Sequence, residues 1–272
     1  MRGWRLSAVV VLAVLGGCTS FVPTPIPQGA QGACSGLVFR HTFPAAIADP
    51  ARRESASSTF LCHEGYGAWY DRRTRTALWV VERLTARRLN TGVPAVPVAD
   101  YRRDPQVDSG HQATAAFYEG TALHYEPLAA PLFGLHNRVM WSQAFYMTNT
   151  APMTAAAQKA WWRLDQQLRT WAMGGTPLYV VSGPLYPARG GWRWIGPTTR
   201  VVIPRHFTTY TPHELEAGKM AVPIAYYRAL LLPDGRALGY VIPNTTTARV
   251  QGVSVVSLER ATGFDFWPAA GG

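Results

Sequence analysis

His111 is the residue of this sequence best suited to proton transfer. It lies in the run 107–113, which reads Val-Asp-Ser-Gly-His-Gln-Ala. Gly110 lets the backbone bend or approach another group closely, and Asp108 can hold an imidazole or cap a turn. A single histidine is more often an ordinary structural residue. Together with the segments described below, the pattern predicts that His111 is a general base and that Asp108 orients it.

Two adjacent arginines, Arg102 and Arg103, lie just upstream of this run. They belong to residues 90–106, a connection rich in proline and glycine that disfavours regular structure. Long connections inside a domain often carry binding residues. We therefore expect Arg102 and Arg103 to contact a phosphate beside the base.

The whole chain is basic, with a net charge of +10 at pH 7. Such a protein attracts polyanions, either nucleic acid or an anionic membrane surface. Arginine greatly outnumbers lysine, which suits phosphate binding but can equally reflect a GC-rich genome. A further cluster, Arg72, Arg73 and Arg75, has two interpretations, a phosphate contact or a solvated hairpin end, and we favour the hairpin end.

One helix and many strands have to position these groups. Apolar residues at three- and four-residue intervals, after the possible cap Thr154 and before the pair 174–175, predict a helix on which Gln158 and Asp165 can face the same place. Strand-like runs lie at 37–42, 60–63, 77–84, 141–149, 177–186, 200–207, 225–232, 238–242 and, as a strand or helix start, 253–258. The 141–149 run ends at Asn149. Many strands with few helices predict an α+β domain on an antiparallel or mixed sheet.

The first residues indicate export. Residues 1–17 combine a basic start with a short apolar run and small residues before Cys18. This resembles a bacterial lipoprotein signal with Cys18 as the lipidated residue; the alternative is an ordinary secretory signal with a chance cysteine. Thr19 and Ser20 lack the aspartate that resembles an inner-membrane retention cue. We therefore expect a cell-envelope lipoprotein at the outer membrane, facing the periplasm or the exterior.

The remainder divides into a tether and one domain. Residues 18–33 carry the anchored cysteine and a stretch rich in proline, glycine and glutamine, and residues 34–272 suit one large domain. Cys34 and Cys62 can form a disulfide in an oxidising compartment, although two separate buried thiols are the alternative.

Several segments together resemble the DNA/RNA non-specific endonuclease family, secreted or organellar nucleases of the ββα-metal superfamily. The family's Asp-Arg-Gly-His-Gln-Ala-Pro, Ser-Asn-x-x-Pro-Gln and Asn-x-x-x-Trp-x-x-Leu-Glu resemble, in order, residues 108–114, 148–153 and 157–165. Residues 181–184, 203–207 and 259–266 match further family segments in the same order. The resemblance covers about residues 78–267, most of the chain.

This resemblance implies a ββα-metal nuclease-like domain with helices flanking the sheet, and a metal-dependent endonuclease that cuts DNA and RNA through their backbones. His111 would deprotonate the attacking water. Asn149 would brace the strand end or the water shell of a divalent ion, most simply Mg²⁺ with Mn²⁺ as the alternative. Asp165 would hold metal-bound water, and Gln158 would supply an amide oxygen.

Three positions depart from the family pattern. Ser109 replaces an arginine that would stabilise the phosphoryl transition state, Ala157 replaces the asparagine that would bind the metal, and Ala99 falls where another arginine is common. An alternative hypothesis is therefore an impaired nuclease-fold lipoprotein that binds nucleic acid or an envelope partner without cleavage. A third is a lipoprotein of unrelated role in which His111 is incidental. The sequence does not indicate an oligomeric state.

Overall fold

The computed structural model describes residues 32–47, 57–89, 100–134, 137–197 and 218–270. Within these residues, seven strands form one sheet and the others form two-stranded pairs. The strands in chain order are β1 Ala45–Ala46, β2 Ser58–Cys62, β3 Tyr66–Asp71, β4 Thr76–Leu84, β5 Leu123–Pro127, β6 Thr150–Thr154, β7 Leu178–Leu185, β8 Arg193–Ile195, β9 Met220–Val222, β10 Ala225–Leu231, β11 Ala237–Pro243, β12 Gln251–Val253 and β13 Phe264–Asp265. The helices are α1 Ala86–Leu89, α2 Arg138–Gln143, α3 Ala155–Met173 and α4 Val255–Thr262.

The central sheet has the order β12-β11-β10-β7-β4-β3-β2, and every neighbouring pair is antiparallel. Side chains alternate between its two faces, so that Trp79 and Val81 of β4 enter one core while Val80 and Leu84 enter the other. Both faces of the middle strands are covered, which explains their nearly continuous apolar sequence. The predicted α+β fold is confirmed.

Helix α3 covers one face of the sheet. Its first turn is capped by Thr154, whose side chain accepts a hydrogen bond from the amide of Ala157 at 3.2 Å. Trp161, Leu164 and Leu168 are buried against the sheet. The periodic pattern therefore predicted this helix correctly, because its cap and its apolar stripe are both local features.

The opposite face is covered by the two ends of the described chain. Residues 34–43 pack there together with α4 and the aromatic side chains of Phe266 and Trp267. Cys34 and Cys62 form a disulfide with a Cα–Cα distance of 5.8 Å, which ties the first of these segments to the end of β2. The predicted pairing of the two cysteines is confirmed.

Two predicted strands are not strands in the structure. Run 141–149 contains the end of α2 and a 3₁₀ turn at Met147–Asn149, because the Asn137 side chain caps the amides of residues 139 and 140 and starts a helix there. Run 37–42 contains the last residue of one 3₁₀ turn, Ser35–Leu37, and all of a second, Phe39–His41, in which Arg40 and His41 have positive φ. Of run 253–258, most lies in α4. Run 200–207 lies outside the described residues, as do Cys18 and Ala99.

Among the described residues, none of the helices has the length and apolar character needed to span a bilayer.

Candidate functional site

His111 lies in a 3₁₀ turn formed by Ser109–His111 and is open to solvent. Its backbone amide donates a hydrogen bond to the carbonyl of Asp108 at 2.9 Å. The side chains are less closely linked: Nδ1 of His111 lies 4.0 Å from Oδ2 of Asp108, and the two side chains are 51% and 81% exposed. A separation of 4.0 Å is beyond hydrogen-bonding range. Asp108 shapes the turn in this structure, while the His111 ring is free to meet a ligand.

The backbone around His111 is held from the sheet side. The Tyr70 hydroxyl donates to the carbonyl of His111 at 3.0 Å. Nη1 of Arg75 donates to the carbonyls of Gly110 and Gln112 at 2.8 and 3.1 Å. Arg75 adopts φ of 56°, a left-handed conformation that costs a non-glycine residue energy. The two hydrogen bonds made by its guanidinium offset that cost and fix the turn.

A buried polar network anchors the other end of the same loop. The Gln112 side chain accepts from the amide of Asp104 at 2.7 Å and donates to the carbonyls of Asp104, at 2.7 Å, and of Val107. The Asp104 carboxylate in turn binds Nε2 of His63 at 2.9 Å and the Thr148 hydroxyl at 2.6 Å. Burial alone would raise the pKa of Asp104, but these hydrogen bonds outweigh it and lower the pKa.

A cleft of about 670 Å³ opens beside His111. Its described lining residues are Arg72, Arg73, Arg75, Gly110, His111, Gly190, Gly191, Trp192, Trp194 and Gly218. The three arginines thus lie on the same cleft as the histidine. The cluster is the β3–β4 hairpin turn, in agreement with the interpretation that we favoured, and this turn also lines the cleft.

The two arginines predicted to contact phosphate lie elsewhere. Nη2 of Arg102 donates to the Ser142 hydroxyl at 2.7 Å, and its guanidinium lies 4.5 Å from the centre of the Tyr146 ring. Arg103 is exposed. Neither residue is among those that line the cleft of His111. The structure therefore does not bring these two arginines to the cleft of His111, and their contact with phosphate stays a prediction.

Asn149 is fully buried and its amide group is used by the backbone. Nδ2 donates to the carbonyls of Ala129 and Ala144 at 2.9 and 2.8 Å, and Oδ1 accepts from the amide of Ala129 at 2.9 Å. Of the two roles predicted for Asn149, this geometry agrees with bracing the chain before β6. Both hydrogens of Nδ2 are used within the protein, and a role in a metal's water shell stays a prediction.

Asp165 lies on the inner face of α3, where it forms a buried ion pair with Arg228 of β10. Arg228 also lies 3.8 Å from the Glu82 carboxylate and 3.9 Å from the centre of the Trp161 ring. Burial raises the pKa of Glu82 to about 8 and that of Asp165 to about 7, although Arg228 lowers both. The guanidinium of Arg228 thus takes the position of counter-ion to Asp165.

The residues of α3 do not fit a divalent metal ion. Asp165 is paired with Arg228, Nε2 of Gln158 donates to the Glu126 carboxylate at 2.7 Å, and Ala157 is buried without a ligand atom. The described residues contain no group of three or more His, Cys, Asp or Glu able to hold a metal. The prediction that Asp165 and Gln158 hold Mg²⁺ therefore does not fit this geometry.

Tyr70, which holds the carbonyl of His111, belongs to the same core as Trp161 of α3, so the helix and the histidine loop share one face of the sheet. However, no residue of α3 is among the described residues that line the cleft of His111.

Comparison with known proteins shows the family to which this chain belongs. Residues 44–270 match the family described as DNA/RNA non-specific endonuclease. The chain belongs to this family. Its human relative "Endonuclease G, mitochondrial" (Homo sapiens) is 31% identical over 214 residues, which are 75% of this chain and 68% of that protein. "Nuclease C1" of Cunninghamella echinulata var. echinulata is 28% identical over 221 residues, 76% of this chain and 82% of that protein.

A solved structure of similar fold is titled "Crystal structure of the EndoG/EndoGI complex: Mechanism of EndoG inhibition". It superposes with a TM-score of 0.62 at 23% identity, covering 76% of this chain and 84% of that one. The predicted family and ββα-metal nuclease-like fold are confirmed. Membership in the endonuclease family assigns the chain to the phosphodiester hydrolases.

Sequence reasoning missed the aromatic wall of the cleft in this endonuclease-family chain. Trp192 and Trp194 flank Arg193 directly after the pair Gly190 and Gly191. Alternating aromatic and basic residues after a glycine turn are a signal for a nucleic-acid surface and could have been noticed. Their place in the same cleft as the arginine turn could not be predicted from the sequence, since it depends on the pairing of β8 with β9.

Proposed function

We propose that this chain binds nucleic acid in the cleft beside His111 and hydrolyses its phosphodiester bonds, with His111 as general base. The observation that carries the proposal is an exposed imidazole in a cleft whose other walls hold Arg72 and Arg73. A phosphate group seated between them would bring its negative charge to the arginines and its phosphorus atom near the histidine.

The chemistry assigned to the chain is simple. The ring of His111 removes a proton from water as the water oxygen attacks phosphorus; the bond to the leaving oxygen breaks, and that oxygen takes a proton from solvent water. The guanidinium groups of Arg72 and Arg73 stabilise the negative charge that develops on the phosphoryl oxygens. No step is assigned to a metal ion, since the residues of α3 do not fit one. A requirement for Mg²⁺ or Mn²⁺ remains a prediction of the family resemblance.

Contacts from arginine and histidine to phosphate bind the nucleic-acid backbone and do not recognise the bases. We therefore expect both DNA and RNA to be substrates. The positive charge of the chain supports this expectation, because backbone binding gains from the release of counterions.

The test compares His111→Ala with the wild type on plasmid DNA and on RNA, each in Mg²⁺, in Mn²⁺ and in EDTA. We expect the variant to lose about 10²- to 10⁴-fold in rate, the usual contribution of a general base. His124→Ala is the matched control, because His124 is exposed on β5 and is not among the lining residues. Equal cleavage by wild type and His111→Ala would assign the base to another residue.

Three features favour a second candidate, a protein that binds nucleic acid without cutting it. Ser109 and Ala157 lack the groups that the family pattern supplies, and Asp165 is paired with Arg228. In the experiment above, this candidate predicts no cleavage in any buffer together with binding that weakens as salt is raised.

We propose further that the chain is anchored at the cell envelope through lipid on Cys18, with the outer membrane as its site. The supporting observation is the sequence Leu15-Gly16-Gly17-Cys18 after a short apolar run. Incorporation of a labelled fatty acid into the wild type, and its loss in Cys18→Ala, is the expected result. Equal labelling of both would contradict the anchor.

A further inference from the structure

Three aromatic rings form a stack beside the cleft of His111. The ring centres of Tyr186 and Trp192 are 4.9 Å apart with planes 9° apart, and those of Trp192 and Trp194 are 5.7 Å apart with planes 18° apart. Trp192 is the shared member. Both tryptophans are half-buried and line the cleft. The stack is thus neither a closed core nor a set of scattered surface rings.

One end of the stack is fixed to the sheet. The Tyr186 hydroxyl hydrogen-bonds the Thr76 hydroxyl of β4 at 2.6 Å, and burial raises the pKa of Tyr186 above its usual range. The other end is fixed by strand pairing, since β8 places Trp194 opposite Ala221 of β9. Because the stack is held at both ends, its rings lose little conformational freedom when a ligand stacks on them.

The tryptophans follow a tight turn. Gly190 and Gly191 both have positive φ, 57° and 67°, which a residue with a side chain rarely adopts. The turn brings Trp192 back towards the sheet and into the cleft. Arg72 and Arg73 of the β3–β4 turn line the same cleft, so aromatic and cationic walls meet in one space.

Such a combination matches an unpaired nucleotide. In a duplex the faces of the bases are covered by their neighbours, whereas a single strand can present a base face to a ring and its phosphates to arginines. Tyr186 closes one end of the stack. Trp192 lies between Tyr186, at 4.9 Å, and Trp194, at 5.7 Å. A base would therefore extend the stack at Trp194.

We propose that Trp194, supported by Trp192, is a stacking platform for an unpaired base, and that the cleft consequently prefers single-stranded nucleic acid. This rests on the proposed binding of nucleic acid beside His111. It adds a substrate preference that the phosphate contacts of the arginines alone would not give.

The test measures equilibrium binding of the full chain, purified in mild detergent and carrying His111→Ala to prevent cleavage. The probes are a fluorescein-labelled 12-nucleotide single strand and the duplex of the same sequence, followed by anisotropy. The variants are Trp194→Ala and Trp194→Phe. Trp162→Ala is the control, since Trp162 is 56% exposed on α3 and is not among the residues that line the cleft.

We expect Trp194→Ala to weaken single-strand binding by about 5- to 150-fold, the loss that corresponds to one base–aromatic contact. Duplex binding should change by less than about two-fold, Trp194→Phe should retain most of the affinity, and Trp162→Ala should have no effect. Equal weakening of single strand and duplex by Trp194→Ala, or no weakening of the single strand, would overturn the platform.

A second comparison does not depend on how well Trp194→Ala folds. A single strand made wholly of abasic nucleotides keeps the phosphates but removes the bases. The protein with Trp194 intact should bind the abasic strand about as weakly as the Trp194→Ala variant binds the normal strand. On the abasic strand, Trp194→Ala should cause no further loss of affinity. If abasic and normal strands bind equally, the platform is excluded while nucleic-acid binding stands. If neither strand nor duplex binds, the proposed function itself fails.

Discussion

Arg228 is the positive charge closest to a buried group of carboxyl side chains. Asp165 pairs with it, Glu82 lies 3.8 Å away, and Glu126 is close enough for Arg228 to lower its pKa. Burial outweighs this attraction and raises the pKa of Glu126 to about 7 and that of Glu82 to about 8. One guanidinium can balance one carboxylate, so the remaining carboxyl groups are most stable when protonated.

This imbalance predicts how stability depends on pH. The pKa of Glu82 is about 8 in the folded state, against about 4.3 in an unfolded chain, so the folded state binds the proton more tightly. The stabilisation from that proton is fully present below the unfolded pKa and is lost as pH rises through about 8. We expect the free energy of unfolding, measured with urea, to fall between pH 5 and pH 8.

Glu82→Gln should make this pH dependence shallower, because the amide cannot ionise. Asp165 and Glu126 would still titrate, so the dependence should not vanish. Glu119→Gln is the control, since Glu119 is exposed. A Glu82→Gln variant with the same slope as the wild type would contradict the buried-charge account.

The helical spacing of α3 predicted that Asp165 and Gln158 can face the same place, but the partner of Asp165 could not be predicted. Arg228 comes from β10, and only the sheet order brings that strand beneath the helix. An inward acid on an amphipathic helix is therefore open to two roles, metal ligand or ion-pair partner. The rest of the fold decides between them.

The loop before His111 depends on side-chain hydrogen bonds because it has no regular structure. Gln112 satisfies three backbone groups of residues 104–107, and Asp104 joins them to His63 and Thr148. All these atoms are buried, so the loss of one partner leaves polar groups without water or protein to bind them.

Gln112→Leu keeps the approximate volume of the side chain and removes all three hydrogen bonds. We expect the free energy of unfolding to fall by about 2–3 kcal/mol, which corresponds to unsatisfied buried backbone groups. The rate of nucleic-acid cleavage should fall too, because His111 loses its fixed position. The control is Gln106→Ala, since Gln106 is exposed and its side chain contacts Cys62 and His63 from outside. If Gln112→Leu is no less stable than Gln106→Ala, the network does not hold the loop.

Elements with local signals were predictable, and elements with distant partners were not. Helix α3 carries its own cap and apolar stripe, and β4 carries its own run of apolar, strand-forming residues. Helix α2, in contrast, begins at Arg138 after its cap Asn137, upstream of the run that suggested a strand. Strand β8 forms only through its pairing with β9. The aromatic wall of the cleft went unnoticed for the same reason.

At the scale of the molecule, the ordered motifs predicted the family and the fold, since a series of segments in sequence order reflects a shared topology. The contact between the basic cluster and the histidine of the site could not be predicted in this way. The basic cluster at 72–75 and the histidine at 111 meet because β3 and β4 form a hairpin whose turn reaches the loop of His111. No pattern within either segment indicates that contact.

The disulfide ties residues 34–43, which cover the second face of the sheet, to the end of β2. Cys34 belongs to the segment that covers the second face of the sheet, while Cys62 ends β2 and is followed by His63, the partner of Asp104. Loss of the bond should cost about 2–5 kcal/mol in the free energy of unfolding, the usual range for a native disulfide.

The variant that tests this is Cys34→Ser with Cys62→Ser, compared with the wild type by urea unfolding with and without dithiothreitol. We expect the reductant to bring the wild type to the stability of the double variant and to leave the double variant unchanged. Because His63 follows Cys62 directly, the loop of His111 should also exchange its amide hydrogens faster in the variant than in the wild type. Equal stability of both proteins without reductant would mean that packing on the second face holds residues 34–43 without help from the covalent bond.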